Sequence, residues 1–276
     1  MLIYLILFAF GLMVGSFLAV VVYRETKDIE KNIDGQRTFL DFLPSWVKGR
    51  SYCDFCHKQL SWYENIPLLS FLIQKGKCRK CGKAIPSNYF LIELLTGLEF
   101  VWIYWLIQRL IFFEQLEGMH SFLVLGFWLF IFSLSFALAL IDFKTQILPD
   151  SLIIVGVGVS LLRLFITGRW EFILSALGLF LFYLFLYLIT QGKGIGFGDV
   201  KLGLFVGLTV GWWQWTIVAT FLAFLLGSLV GVILIIAKKK QMKSAIAFGP
   251  FMLLGMLIAK ISGEFLWNSY LGLIGF

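Results

Sequence analysis

Charge is what this sequence has least of. Only 14% of its 276 residues are Asp, Glu, Lys or Arg, against about 25% in soluble domains. Mean hydropathy is +0.91. No hydrophilic half remains, which excludes a soluble enzyme carried on a single anchor. The first apolar run, Leu2 to Val22, has no basic residues ahead of it and no small-residue cleavage pattern behind it. It reads as a retained helix and not as a removed signal peptide. The glycine run at 194–198 has no strand before it and no βαβ context, so it is not a dinucleotide fingerprint. The net charge of +7 does not point to nucleic acid, because basic residues in a membrane protein more often mark cytoplasmic loops.

What is there in quantity is apolar sequence, 60% of the chain. Several runs reach the roughly 20 residues that cross a bilayer. The expected fold is all-α and polytopic, in a lipid bilayer, with about eight spans: 2–23, 88–112, 121–141, 151–168, 171–190, a short one at 199–212, 216–237 and 248–268. Trp212, Trp213 and Trp215 read as an interfacial belt. The expected organisation is a first helix at 1–23, a polar loop at 24–87 and a seven-helix membrane domain at 88–276. Twelve Lys and Arg lie between Arg24 and Lys83, and Lys238, Lys239, Lys240 and Lys243 follow the seventh span. Lys144, Lys193 and Lys201 fall on the same side, whereas Arg109 and Arg169 fall opposite. The positive-inside rule then puts the 24–87 loop, and the loops after spans three and five, in the cytoplasm.

All four cysteines sit in that polar loop, as Cys53-x-x-Cys56 and Cys78-x-x-Cys81. The spacing matches a structural zinc site made of four thiolates. A loop too small to bury a core would draw folding energy from the metal. With all four ligands supplied by protein, no open position remains for catalysis. His57 is surplus to the set. Cysteines left reduced without metal, or a redox pair, are the other readings.

Two carboxylates stand at span boundaries, and an ionisable residue there is a functional-site hypothesis by default. Asp142 follows the third span; Asp199 closes the turn Gly194-Ile195-Gly196-Phe197-Gly198. If they meet, repulsion keeps both from ionising readily. Helix-end dipoles favour Asp142 as the protonated partner and Asp199 as the ionised one. Such a pair performs aspartic-protease chemistry, in which one carboxylate takes a proton from water and the other donates to the scissile carbonyl. The plainer readings are an interfacial residue for Asp142 and helix N-caps for Asp199 and Asp150. Lys144 and Lys201 either tune the carboxylates or snorkel to the surface.

The sequence resembles the type IV leader peptidases (prepilin peptidases), a family of bacterial intramembrane aspartic proteases. The resemblance rests on Gly15-Ser16-Phe17-Leu18 with Tyr23-Arg24, on the cysteine pairs flanking Asn65-Ile66-Pro67, and on Glu93-Leu94-Leu95-Thr96-Gly97. It continues through Ile141-Asp142, Leu148-Pro149-Asp150, Gly196-Phe197-Gly198-Asp199-Val200-Lys201 and Phe248-Gly249-Pro250. Ala19, Glu25-Thr26 and Ala247 depart from the family pattern. The resemblance implies catalysis by Asp142 and Asp199, supported by Gly196, Gly198 and Lys201, at the cytoplasmic side of the bacterial inner membrane. It implies prepilin or pseudopilin precursors as partners, in pilus assembly or protein secretion, each with a basic leader and an apolar helix beyond the cut. Glu25, Asp28, Glu30, Asp34, Asp41, Asp54 and Glu64 offer counter-charges to such a leader, or simply a solvated surface. A second activity, N-methylation of the new amino terminus with S-adenosylmethionine, accompanies the family. The rivals are a proton- or cation-coupled transporter using the two aspartates, which lacks a visible inverted repeat, and a zinc-responsive scaffold without catalysis.

Overall fold

The computed structural model of the chain describes residues 1–33, 49–109, 121–238 and 246–273. Lys239, Lys240, Lys243, Arg37, Lys48, Asp34, Asp41 and the end of the second expected span at 110–112 lie outside the described residues.

Apolar runs of this length must satisfy every backbone polar group internally, and within one segment only a helix does so. The elements are α1 (Leu2–Ile33), α2 (Leu69–Ile73), α3 (Ser87–Arg109), α4 (Ser121–Thr145), α5 (Asp150–Thr167), α6 (Glu171–Thr190), α7 (Phe197–Val210), α8 (Trp213–Ile236) and α9 (Gly249–Leu273). Among the described residues, seven helices are long and apolar enough to cross a bilayer. The short sixth span is α7, with 14 residues. The expected all-α polytopic fold is the one observed.

The boundaries differ from expectation where polar residues continue a helix. α1 runs ten residues past the expected end at 23. Glu25 and Ile29 are both buried in that extension, so the polar stretch begins as a packed helix and not as loop. α4 continues through Asp142 to Thr145. Trp213 and Trp215 belong to the first turn of α8 rather than preceding it. Pro149, not Asp150, occupies the N-cap of α5, consistent with an acidic residue favoured in the first turn.

Contacts divide the described residues into two compact units, one within 1–109 and 121–137, the other within 138–273. In the first, α1 packs along α3. Small residues let the two backbones approach closely. A Cβ on Gly11 would lie 2.9 Å from Gly97 Cα, and one on Gly15 would lie 2.8 Å from Glu93 Cα.

In the second unit, α7 packs against α5, α6, α8 and α9, and every residue from Leu202 to Val210 except Leu204 is buried. Its face toward α6 is a stripe of Gly203, Gly207 and Gly211 set against Tyr183, Ala176 and Phe172. Short connections fold neighbouring helices back on one another: Gly168, at φ +67, ends α5, and Gly211, at φ +90, ends α7. Leu164, Phe172, Ala176 and Leu208 close the core at that end.

A Cβ on Gly207 would stand 2.5 Å from Ala176 Cα, a backbone atom that cannot swing aside. Gly207→Ala is expected to cost about 1–3 kcal/mol, the range for overpacking a core. Thermal unfolding in detergent measures it, with Gly158→Ala, where nothing lies within 4 Å, as the control.

Candidate active site and metal centre

The two cysteine pairs build the same local structure twice. Cys53 N–H donates to Lys58 O, and His57 N–H donates to Cys53 O, each at 2.9 Å. Likewise Cys78 N–H donates to Lys83 O and Gly82 N–H to Cys78 O, again at 2.9 Å. The fifth residue of each knuckle is left-handed, with φ +51 at His57 and +71 at Gly82. His57 is therefore the counterpart of a turn glycine. An isolated bridge flanks each knuckle, Tyr52 with Gln59 and Lys77 with Ala84.

The four Sγ atoms lie within 4.8 Å of one another, with Cys53 to Cys81 at 3.9 Å and Cys56 to Cys78 at 4.0 Å. A tetrahedron of sulfurs about 2.3 Å from a zinc ion has edges of about 3.8 Å. The cluster fits a metal ion. The amides of Cys81 and Lys80 lower the Cys78 thiol to about 6, whereas at Cys81, against the Lys83 amide, burial and the neighbouring sulfurs push the thiol up to about 11.

Among the contacts that hold this loop to the first unit's helices are one from Tyr23 and one to Glu93. Tyr23 Oη donates to Asp54 Oδ1, between the first two cysteines. Leu68 N–H donates to Glu93 Oε2 of α3 at 2.8 Å. Within the loop, buried Glu64 accepts from Ser61 N–H at 2.9 Å and from Lys58 Nζ at 2.9 Å. Of the acids expected to greet a basic leader, Glu25 and Glu64 are buried and Asp54 is engaged by Tyr23. Glu30 is exposed.

The second unit holds both boundary aspartates. Asp142 lies in the last turn of α4 and is 4% exposed. Its Oδ2 accepts the N–H of Gly249, the first residue of α9, at 3.0 Å. A Cβ on Gly249 would come within 2.6 Å of that oxygen, so only glycine lets the amide approach so closely. Pro250 follows, at a position near a helix start where its missing N–H costs nothing. Asp199 lies in the first turn of α7, and its Oδ2 accepts the N–H of Gly196 at 3.1 Å.

Leu148 packs between the two arms. Its side chain would meet a Cβ on Gly198 at 3.3 Å and one on Gly249 at 3.5 Å. Gly198 adjoins Asp199 and Gly249 holds Asp142, so the contacts of Leu148 put the two carboxylates in one neighbourhood. Each has one donor from a helix N-terminus, which evens out the asymmetry expected from α4's carbonyl end alone. Gly196 has φ −76; it serves here through its N–H, and Gly198 through close packing. Lys201 turns away from the pair, its Nζ 2.6 Å from Asp150 Oδ1. Sequence reasoning did not single out Gly249 or Leu148 as site residues. The Gly-Pro start of α9 was the available signal for the first.

Against this geometry, residues 9–107 match the bacterial peptidase A24 N-terminal domain, and residues 129–236 match the type IV leader peptidase family. The chain is 30% identical to a prepilin leader peptidase/N-methyltransferase of Stutzerimonas stutzeri, covering 95% of this chain and 91% of that protein. This chain belongs to the type IV leader peptidase family. Relatives of the same name in Pseudomonas aeruginosa and Legionella pneumophila are 31% and 30% identical. They cover 96% and 98% of this chain, and 92% and 94% of their own lengths. No solved structure matches the chain. Asp142 and Asp199 both fall within the segment that matches the leader peptidase family, and all four cysteines fall within the N-terminal match. The comparisons give no support to a transporter.

Cys78→Ser is expected to lower bound metal in the purified protein to near zero, whereas His57→Gly keeps it at the wild-type level; elemental analysis reads both. Glu64→Gln is expected to destabilise the loop in a pH-dependent way. The Ser61 amide, reinforced by Lys58, holds the Glu64 carboxyl below its ordinary value. Its stabilisation is present above the unfolded value and is lost as pH falls through the lowered folded one. The gap between wild type and Glu64→Gln in protease protection of the loop should therefore be full at neutral pH and close in acid.

Proposed function

We propose that the chain is a membrane aspartic endopeptidase that removes the basic leader from type IV prepilin-like precursors at the cytoplasmic face of the bacterial inner membrane. One observation carries the reading: at one end of the second unit Leu148 packs both against Gly198, next to Asp199, and against Gly249, whose amide holds Asp142. The family membership and the relatives' names support the substrate class.

In the mechanism, one carboxylate of the pair takes a proton from water while the other donates to the scissile carbonyl oxygen. The dyad titrates as a unit, so the two roles belong to the pair. Gly249 N–H holds Asp142 Oδ2, and Gly196 N–H holds Asp199 Oδ2. Each carboxylate thus keeps its other oxygen for water and substrate. Gly196 leaves room for extended substrate backbone beside Asp199, and Gly198 lets Leu148 pack close to the start of α7. Lys201 supports the site indirectly, by pairing with Asp150 at the start of α5. A substrate with an apolar helix beyond the cut would stand in the bilayer with its cytoplasmic end at the dyad. The zinc ion proposed at Cys53, Cys56, Cys78 and Cys81 has four protein ligands and so a structural role.

N-methylation of the new amino terminus, with S-adenosylmethionine as donor, is a second reading, and it rests on the relatives' names. The recess beside Tyr23, Asp54 and Glu93 in the first unit has a volume of about 160 Å³. Pockets for ligands of that size run to roughly 300 Å³ and above. The recess as it stands does not fit the donor, and no step through it is derived.

Asp142→Asn and Asp199→Asn are each expected to reduce leader cleavage of a prepilin precursor by at least about a thousandfold, with normal membrane insertion, as read by a gel shift of the precursor. Full processing by either variant would end the assignment. A labelled methyl donor added to the wild-type reaction reads the second activity.

A further inference from the structure

The helix that carries Asp199 is too short to hold its own height in a bilayer. At about 1.5 Å per residue, the 14 residues of α7 rise about 21 Å, against a hydrocarbon core of about 30 Å. The last carbonyls of a helix have no partner within it, and in apolar surroundings they need one. The flank of α7 facing α6 is the glycine stripe. There Tyr183 and Phe172 of α6 are seated on Gly203 and Gly211. Directional contacts at the helix ends add to that packing in setting the register along the axis.

Those contacts come from α5. At the carboxyl end of α7, Arg163 Nη1 donates to Thr209 O at 3.1 Å, and the hydroxyls of Ser160 and Thr209 lie 3.2 Å apart. Arg163 is 4% exposed, and its guanidinium sits 5.5 Å from the ring centre of Phe172. At the amino end, Lys201 meets Asp150. α5 and α7 therefore run parallel and are fastened at both ends. The amino-end pair at Asp150 is exposed and holds weakly; the buried guanidinium on a last-turn carbonyl holds strongly.

We propose that Arg163 is a positioning residue for the peptidase reaction: anchored in α5, it fixes the axial register of α7 and with it the height of Asp199 against Asp142. Asp142 is held separately, by the amide at the start of α9. A slide of α7 would therefore move one carboxylate and leave the other in place. A displacement of about 1 Å at a reacting group can cost on the order of a hundredfold in rate.

The inference rests on the peptidase reading, and the test separates the two. Cleavage of a prepilin-type precursor is measured with the full chain in detergent or proteoliposomes, for Arg163→Met, Arg163→Lys, Ser160→Ala and Asp199→Asn. For Arg163→Met the expected result is a kcat lowered about 30- to 100-fold with KM within twofold of wild type. Its pH–rate profile should also move, because coupling within the dyad depends on separation. Arg163→Lys, which keeps a cationic donor, recovers part of kcat. Ser160→Ala loses severalfold. A folded Arg163→Met with wild-type kcat overturns the inference, and so does a lowered kcat with an unmoved profile, which would assign Arg163 to folding alone. If Arg163→Met does not fold, wild-type kcat in both Arg163→Lys and Ser160→Ala overturns it. Loss of cleavage in Asp199→Asn beside an unaffected Arg163→Met sinks the clamp only; full cleavage by Asp199→Asn sinks the peptidase reading itself.

Discussion

A carboxylate in apolar surroundings needs donors, and the hydrogen bond from Gly249 N–H to Asp142 is the contact on which the second unit turns. Burial of an unpaired charge is expensive, and Asp142 is almost fully removed from the surface. The amide that answers it comes from more than a hundred residues further along the chain. It therefore ties the end of α4 to the start of α9, two helices with no turn between them. Leu148 fills the space between that contact and the glycine turn ahead of Asp199. The acidic pair is assembled by packing from three separate segments.

The same division of labour appears in the two units. In each, small residues let two helices lie close, α1 on α3 and α6 on α7. In each, a few directional hydrogen bonds then settle what close packing leaves free. Leu68 N–H on Glu93 and Tyr23 on Asp54 fasten the cysteine loop; Arg163 and Ser160 fasten α7. Packing among apolar surfaces in a bilayer gains little from the hydrophobic effect, so polar contacts carry a larger share of the positional specificity.

Much of this was legible in the sequence. Apolar run lengths located the helices, and the cysteine spacing named the cluster, because both follow from local rules. The boundary position of Asp142 and Asp199 marked them without any fold. What was not legible depends on long-range partners. The extension of α1 past residue 23 is held by burial of Glu25 and Ile29, which no window of hydropathy reveals. Lys201 read either as a tuning charge or as one that snorkels to the surface, and the start of α5 claims it. Asp142 looked as if it faced only the carbonyl end of its own helix, since nothing local announces the α9 amide. His57 beside Cys56 read only as surplus to the cysteine set, and its backbone angle explains it as a turn residue.

The duplicated knuckles bear on how the loop comes together. Each hook is closed by hydrogen bonds spanning five residues or fewer, so either can form on its own and early. A metal ion held by the four sulfurs would then have only to join two ready-made halves across the stretch from Cys56 to Cys78. The entropy of closing such a stretch grows only logarithmically, by about 0.6 kcal/mol for each doubling of its length. Insertions between the hooks are therefore cheap, so the segment joining them can change length without disturbing the cysteine cluster.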